Sequence, residues 1–241
     1  MTMEKDSKFG LVFMYGAGLG TWIWKDISRS FNIPCLFLDY PGRDNDLKNT
    51  KDLTIHDYSD ILCTKINNWQ CDKVIIIAHS IGGVIALDTF KKISPKLTGF
   101  VAISASIPKS GESFLSSFPW IGRILMKCLY RILGTRPPEI VIRKGLCNDL
   151  SKEQADEVFR RFTPESRSIY EQKITYDFPD IPKLYIKLTN DAAFGVQLQE
   201  KAIYNLKPET VIEINSGHLP MISKPDELIK IIKEFTMKTG Y

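Results

Sequence analysis

The stretch KVIIIAHSIGGVIALDTF, residues 73–90, decides the fold. Val74, Ile75, Ile76 and Ile77 form an apolar run without alternation, as expected of a strand buried on both faces of a parallel sheet. Val84 to Phe90 continues with helical character. Between them, Ala78-His79-Ser80-Ile81-Gly82-Gly83 turns the backbone within a few residues, and the small residues at 78, 82 and 83 let strand, turn and helix pack without collision. The pattern is G-x-S-x-G with alanine in the first place. Such a turn pushes the Ser80 hydroxyl out at the carboxyl end of the sheet and leaves the Ile81 amide pointing at any oxygen bound beside it.

Outward from this turn, strand and helix signals alternate. Gly10 to Met14 is a predicted strand that runs into Tyr15-Gly16-Ala17-Gly18-Leu19-Gly20, with a helix expected from Thr21. The glycine-rich loop lacks GK[ST] and the GxGxxG spacing of nucleotide sites. Its better use is an amide donor, with Ala17 N–H facing the same point as Ile81 N–H. Ile33 to Tyr40 is a second strand, ending in an Asp39 expected to fix a turn through residues 41–44. Asp52 to Asn67 is helical, and its His56 is assigned to the surface or to helix packing. Leu97 to Ser104, Lys183 to Leu188 and Glu209 to Ile214 are further strands, and Pro225 to Phe235 closes the alternation as an amphipathic helix.

The pattern is interrupted at residues 108–180, where helices and loops replace the alternation. This segment is read as a helical lid over a core made of residues 1–107 and 181–241. Within it, Phe114 to Leu133 sets Arg123, Lys127 and Arg131 on one helical face and Ile121, Ile124, Leu125, Leu129 and Ile132 on the other. The apolar face is expected to pack over the rest of the protein, with Trp120, Ile124 and Leu125 bordering a substrate pocket.

Composition narrows the function. Hydrophobic residues make up 44% and charged residues 25% of the 241, ordinary values for a globular chain, and the formal net charge is only +4. The basic residues are dispersed, which gives nucleic-acid binding no support. The amino terminus lacks the apolar core of a secretory signal and no apolar run is long and uncharged enough to span a bilayer, so a cytoplasmic protein without stable membrane insertion is expected. Five cysteines without CxxC or Cys/His spacing point to reduced thiols and to no metal site. No oligomeric state follows from the sequence.

Three polar residues stand at carboxyl ends of predicted strands, in chain order Ser80, Asp191 and His218. In an open parallel sheet those ends converge on the ligand crevice. Serine is a weak nucleophile until an imidazole takes its proton, and the imidazole needs a carboxylate to fix its tautomer. His79 is a poor rival base because it adjoins Ser80 on a tight turn. Asp180 and Asp226 are fallback acids, although neither ends a strand.

Tyr15-Gly16-Ala17 with Trp22-Ile23-Trp24, Ala78 to Gly83, Tyr185-Ile186 through Thr189-Asn190-Asp191, and Gly217-His218-Leu219-Pro220-Met221 with Ser223-Lys224-Pro225 carry a resemblance. Over nearly its whole length the chain resembles the α/β-hydrolase superfamily, and more closely the small esterases related to plant methyl-ester hydrolases and hydroxynitrile lyases. Tyr15 stands where that group usually has His, and Ala78 where it often has Gly. The resemblance implies a mostly parallel central sheet flanked by helices, with nucleophile Ser80, acid Asp191, base His218 and oxyanion donors Ala17 and Ile81. It implies cleavage of small or medium apolar carboxylic esters through an acyl-serine, with no cofactor and a small-molecule ester as partner. Gly16, against the substrate, stands where the lyases carry Thr, and Leu219 where they carry Lys. A weakly catalytic small-ligand receptor and a thioesterase or acyltransferase are the alternatives on the same scaffold.

Overall fold

The computed structural model describes residues 8–43 and 50–240, so residues 1–7 and Asp44 of the expected 41–44 turn, both invoked above, lie outside the described residues. Six strands form one sheet: β1 (Phe9–Met14), β2 (Cys35–Phe37), β3 (Lys73–His79), β4 (Leu97–Ile103), β5 (Lys183–Leu188) and β6 (Thr210–Ile214). Their order is β2-β1-β3-β4-β5-β6 and every neighbouring pair is parallel. Leu11, Val12 and Phe13 of β1 and Val74 to Ile77 of β3 are fully buried, as the unalternating apolar runs require. Helices α1 (Ile55–Asn67) and α2 (Gly82–Ile93) pack together, and Phe90 of α2 meets Phe100 of β4 edge-on with ring centroids 5.0 Å apart.

Two expectations change in extent. The second strand keeps only Cys35–Phe37 of the expected 33–40, because its far end is drawn to the loop after β1: Asp39 accepts from Thr21 N at 3.0 Å and Thr21 Oγ1 at 2.9 Å, and Tyr40 N donates to Tyr15 Oη at 2.7 Å. The expected helix at Thr21 is a single 3-10 turn, Thr21–Trp24, whose Ile23 and Trp24 anchor it in the core. Asp39 thus fixes the loop at Thr21, across space, where the sequence pointed to the turn that follows it in the chain. All five cysteines are free thiols.

Between β4 and β5 the chain folds as α3 (Trp120–Leu133), α4 (Glu139–Gly145), α5 (Lys152–Arg161) and α6 (Ser168–Glu171), with one isolated antiparallel bridge between Glu112 and Ile174. The expected continuous helix from Phe114 is divided at Pro119 into a 3-10 turn, Phe114–Ser117, and α3. The orientation of α3 also corrects the expectation. Its apolar stripe faces solvent, with Trp120, Ile124 and Leu125 each more than half exposed, and it does not pack over the sheet. The inward side carries Met126 and Tyr130, which pack against the core with other aromatics: Phe114 lies 5.7 Å from Tyr170 and 6.4 Å from Phe194, and Tyr130 lies 4.7 Å from Tyr170, centroid to centroid. Trp120, Ile124 and Leu125 therefore stand on the outer surface, not at a pocket.

The chain returns through α7 (Val196–Leu206), α8 (Pro220–Ser223) and α9 (Pro225–Lys238). A Cβ placed on Gly99 would lie 3.3 Å from Phe235 of α9, whereas the adjacent Phe100 meets α2. Successive residues of a strand point to opposite faces, so α2 and α9 cover the two sides of the sheet. Because β1 connects outward to β2 while β3 begins the run in the other direction, the loops leaving β1 and β3 part at a topological switch point, where a crevice opens.

The elbow tolerates no bulk. A Cβ on Gly82 would lie 2.7 Å from the Tyr15 carbonyl oxygen and 3.1 Å from Tyr40 Oη. Gly82→Ala is expected to cost about 1–3 kcal/mol in urea denaturation as overpacking. Gly122→Ala on α3, where the added Cβ meets nothing within 4 Å, is expected to gain about 0.5–1 kcal/mol from helix propensity. Equal effects at the two positions would mean that the elbow is not sterically tight.

Candidate active site

Ser80 has φ 57°, a left-handed conformation that costs a non-glycine residue on the order of 1–3 kcal/mol. Backbone bonds hold it there: its amide donates to the Ile103 carbonyl at 3.1 Å, and its carbonyl accepts from Gly83 N at 3.1 Å and Ser106 N at 2.9 Å. Its hydroxyl is left at the carboxyl edge of the sheet, where two loops bring the partners that the strand-end argument named. His218, in the loop after β6, places Nε2 3.1 Å from Ser80 Oγ. Asp191, in the loop after β5, places Oδ2 2.7 Å from His218 Nδ1. Nδ1–H donates to the carboxylate, which leaves the Nε2 lone pair for the serine proton. The fallback acids Asp180 and Asp226 are exposed, and His56 instead pairs with Asp88 at 2.9 Å.

Asp191 is buried and fully engaged. Its Oδ1 accepts from Ala193 N and Phe194 N, both at 2.8 Å, and its Oδ2 also accepts from Ser104 Oγ at 2.7 Å. Burial pushes its pKa up, but His218 and these hydrogen bonds outweigh that and bring the carboxyl down to about 2. Ser104 was missed by sequence reasoning, although a hydroxyl at the carboxyl end of the strand next to β3 was the available signal. Ser104 also has positive φ, at 39°.

His79 is not a base here. Its ring is buried, its Nε2–H donates to the His218 backbone carbonyl at 2.8 Å, and the two rings lie 4.6 Å apart. Desolvation, joined by repulsion from His218, lowers its pKa to about 3, so it is neutral across the physiological range. The loop bearing His218 is braced a second time by Asp149, which accepts from Gly217 N at 2.6 Å and from Ser216 Oγ at 3.2 Å. No sequence signal marked Asp149, because it comes from the inserted segment.

On the other side of Ser80 lies the loop after β1. Among the described residues neither the Ala17 nor the Ile81 amide donates a hydrogen bond within the protein. A Cβ on Gly16 would lie 2.8 Å from Ser80 Cβ, so only glycine allows this approach. Tyr15 is buried; its hydroxyl accepts from Tyr40 N, while Tyr40 Oη donates to the Tyr15 carbonyl at 2.6 Å. The far end of the loop is held by a buried ion pair. Arg43 donates to the Leu19 carbonyl through Nε at 2.9 Å and Nη2 at 2.7 Å, and pairs with Glu165 of the inserted segment. Glu165 accepts in turn from Gly18 N at 3.3 Å and Tyr58 Oη at 3.0 Å. Among the described residues no group of three His, Cys, Asp or Glu side chains is gathered to hold a metal ion.

The depressed His79 pKa has a stability consequence. The unfolded chain takes up a proton near pH 6.5 that the folded ring refuses until about pH 3, so folding stability falls as pH drops through that window. The slope is at most about 1.4 kcal/mol per pH unit from this one group. The loss tied to Asp191 lies lower, between the ordinary carboxylate range and about 2. Urea midpoints measured from about pH 7 to about pH 4 are expected to fall less steeply in His79→Gln, which keeps a donor for the His218 carbonyl but does not titrate. Parallel slopes would show that His79 does not carry the acid sensitivity.

The family model described as the alpha/beta hydrolase family matches residues 11–231. Methylesterase 3 of Arabidopsis thaliana is 23% identical over 271 residues that take in 98% of each chain. Norfluorocurarine synthase 2 of Strychnos is 27% identical over 264 residues, again 98% of each. Among solved structures, an extracellular alpha/beta-hydrolase from a Paenibacillus species aligns over 96% of this chain and 99% of its own with a TM-score of 0.80 at 21% identity. Polyneuridine aldehyde esterase aligns over 95% and 99% with a TM-score of 0.75 at 20% identity. At those identities the solved structures speak for the fold alone. With the family model spanning most of the sheet and helices, the chain belongs to the alpha/beta hydrolase family and resembles the plant methylesterases within it.

Proposed function

We propose that this protein is a serine hydrolase that cleaves carboxylic esters of small or medium apolar substrates through an acyl-Ser80 intermediate. The observation that carries the proposal is the continuous chain from Ser80 Oγ to His218 Nε2 at 3.1 Å and from His218 Nδ1 to Asp191 Oδ2 at 2.7 Å. In the first step His218 Nε2 takes the Ser80 proton as Oγ attacks the ester carbonyl carbon. The resulting oxyanion lies between the Ala17 and Ile81 amides, donors of a kind worth about 10²–10³ in rate each. Collapse breaks the bond to the alcohol, which leaves with the proton from His218. Water then repeats the sequence on the acyl-serine, releasing the acid and restoring Ser80. Curated relatives named methylesterases support a small alcohol such as methanol as the leaving group. None of these steps calls for a cofactor.

The serine assignment predicts that Ser80→Ala abolishes labelling by a fluorophosphonate probe and turnover of p-nitrophenyl acetate. Asp191→Asn is expected to lower turnover by about 10³–10⁴ with the melting curve still cooperative, since the imidazole loses the partner that fixes its tautomer. Labelling that survives Ser80→Ala would remove Ser80 from the mechanism.

Ester hydrolysis also parts from cyanohydrin cleavage at two residues. Leu219 is fully buried and offers no positive charge to a departing cyanide, an anion costly to release in an apolar site. Gly16 supplies no hydroxyl to hold a cyanohydrin. Turnover of p-nitrophenyl butyrate is therefore expected, with no release of cyanide from mandelonitrile above the spontaneous rate. Enzyme-dependent cyanide release without ester turnover would overturn the assignment.

A further inference from the structure

The outward stripe of α3 departs from ordinary burial. Trp120, Ile121, Ile124, Leu125, Leu129 and Ile132 recur at helical spacing, and all are exposed, with Trp120 at 68% and Ile132 at 79%. A surface helix normally turns such a stripe toward the core, and a contiguous apolar face left in water marks an interaction site. The helix sits between Pro119 and Gly134 and is about 21 Å long at 1.5 Å per residue, too short to cross a bilayer.

The charge beside the stripe identifies what covers it. Arg123, Lys127 and Arg131 follow one another four residues apart along one border of the apolar face. None of the three has an acidic partner among the described residues; Arg123 donates only to the Ser116 carbonyl, at 3.2 Å. Residues 113–138 contain four Arg or Lys and no Asp or Glu. A second copy of this chain would bring the same cationic patch and no carboxylate to neutralise it, because a two-fold interface is the same patch facing itself. An anionic lipid surface answers both features: the apolar side chains enter the acyl boundary, Trp120 sits at the interface, and Lys127 and Arg131 reach the headgroups along their methylene stems, while Arg123 stays tied to the Ser116 carbonyl.

We propose that α3 is a peripheral docking helix that lays this face on anionic membranes. The helix lies in the plane of the surface, being too short to span it. The proposal does not depend on the hydrolase reading, since it draws on no residue of the Ser80 site.

The test is flotation of the full chain with phosphatidylcholine vesicles, with and without about one quarter phosphatidylglycerol. Binding is expected to the anionic vesicles, weaker in high salt, and much lower to neutral ones. Lys127→Gln with Arg131→Gln is expected to lower partitioning by about fivefold per residue, and Ile121→Gln with Ile132→Gln to abolish flotation. All four side chains lie on the surface, and an unchanged melting curve verifies that the variants are folded. Absence of flotation, equal binding to neutral vesicles, or flotation that survives the isoleucine substitutions would overturn the proposal. So would light scattering that shows a dimer dissolved by Ile121→Gln with Ile132→Gln while vesicles stay unbound, since that result would assign the face to a second copy.

Discussion

The rest of the site depends on one unfavourable backbone conformation being held by parallel strands. Ser80 sits at φ 57°, and the bonds that keep it there run sideways into the chain that continues from β4, through Ile103 and Ser106. The sheet supplies the restraint and the turn spends it on exposing one hydroxyl. Ser104, at the matching end of β4, repeats the device with φ 39° and uses its own hydroxyl to steady Asp191. Ser80 and Asp191 are thereby referenced to the same pair of adjacent strands, and His218 is hydrogen-bonded to both.

The segment between β4 and β5 braces the loops around Ser80. Glu165 enters the core to neutralise Arg43 and to bind the Gly18 amide, so the loop bearing Ala17 is shaped by a residue far away in sequence. Burial raises the Glu165 carboxyl above its ordinary range even with Arg43 against it, which is the signature of a charge taken deep into low dielectric. Asp149, an exposed residue of the same segment, holds the loop bearing His218 by accepting from the Gly217 amide. Both flanks of Ser80 are thus tied to the inserted segment, while Phe114 and Phe194 join that segment to the loop of Asp191. Tyr15 takes part in this bracing through a reciprocal pair of bonds with Tyr40.

The sequence by itself determined the parallel sheet and the three residues that meet at its edge. The apolar run Val74 to Ile77 has no polar alternation to offer a solvent face, and the small residues after it permit only an abrupt turn. Because strands of a parallel sheet present their carboxyl ends together, Ser80, Asp191 and His218 were legible from strand ends alone. His79 shows the limit of that logic: adjacency on the turn ruled it out as a base, but only packing reveals that its buried ring holds the His218 carbonyl.

What tertiary structure decided is everything set by partners distant in the chain. The amphipathic pattern of Trp120 to Leu133 specifies a helix and an apolar face, yet periodicity carries no sign for inward or outward. In the fold Phe114, Tyr170 and Phe194 pack with one another, and the face expected to border a pocket is turned to the outside. The second strand was cut short because Asp39 and Tyr40 find stronger partners in the loop after β1 than in the sheet. Local patterns state which elements form, and the choice between rival neighbours is made only when all of them are folded together.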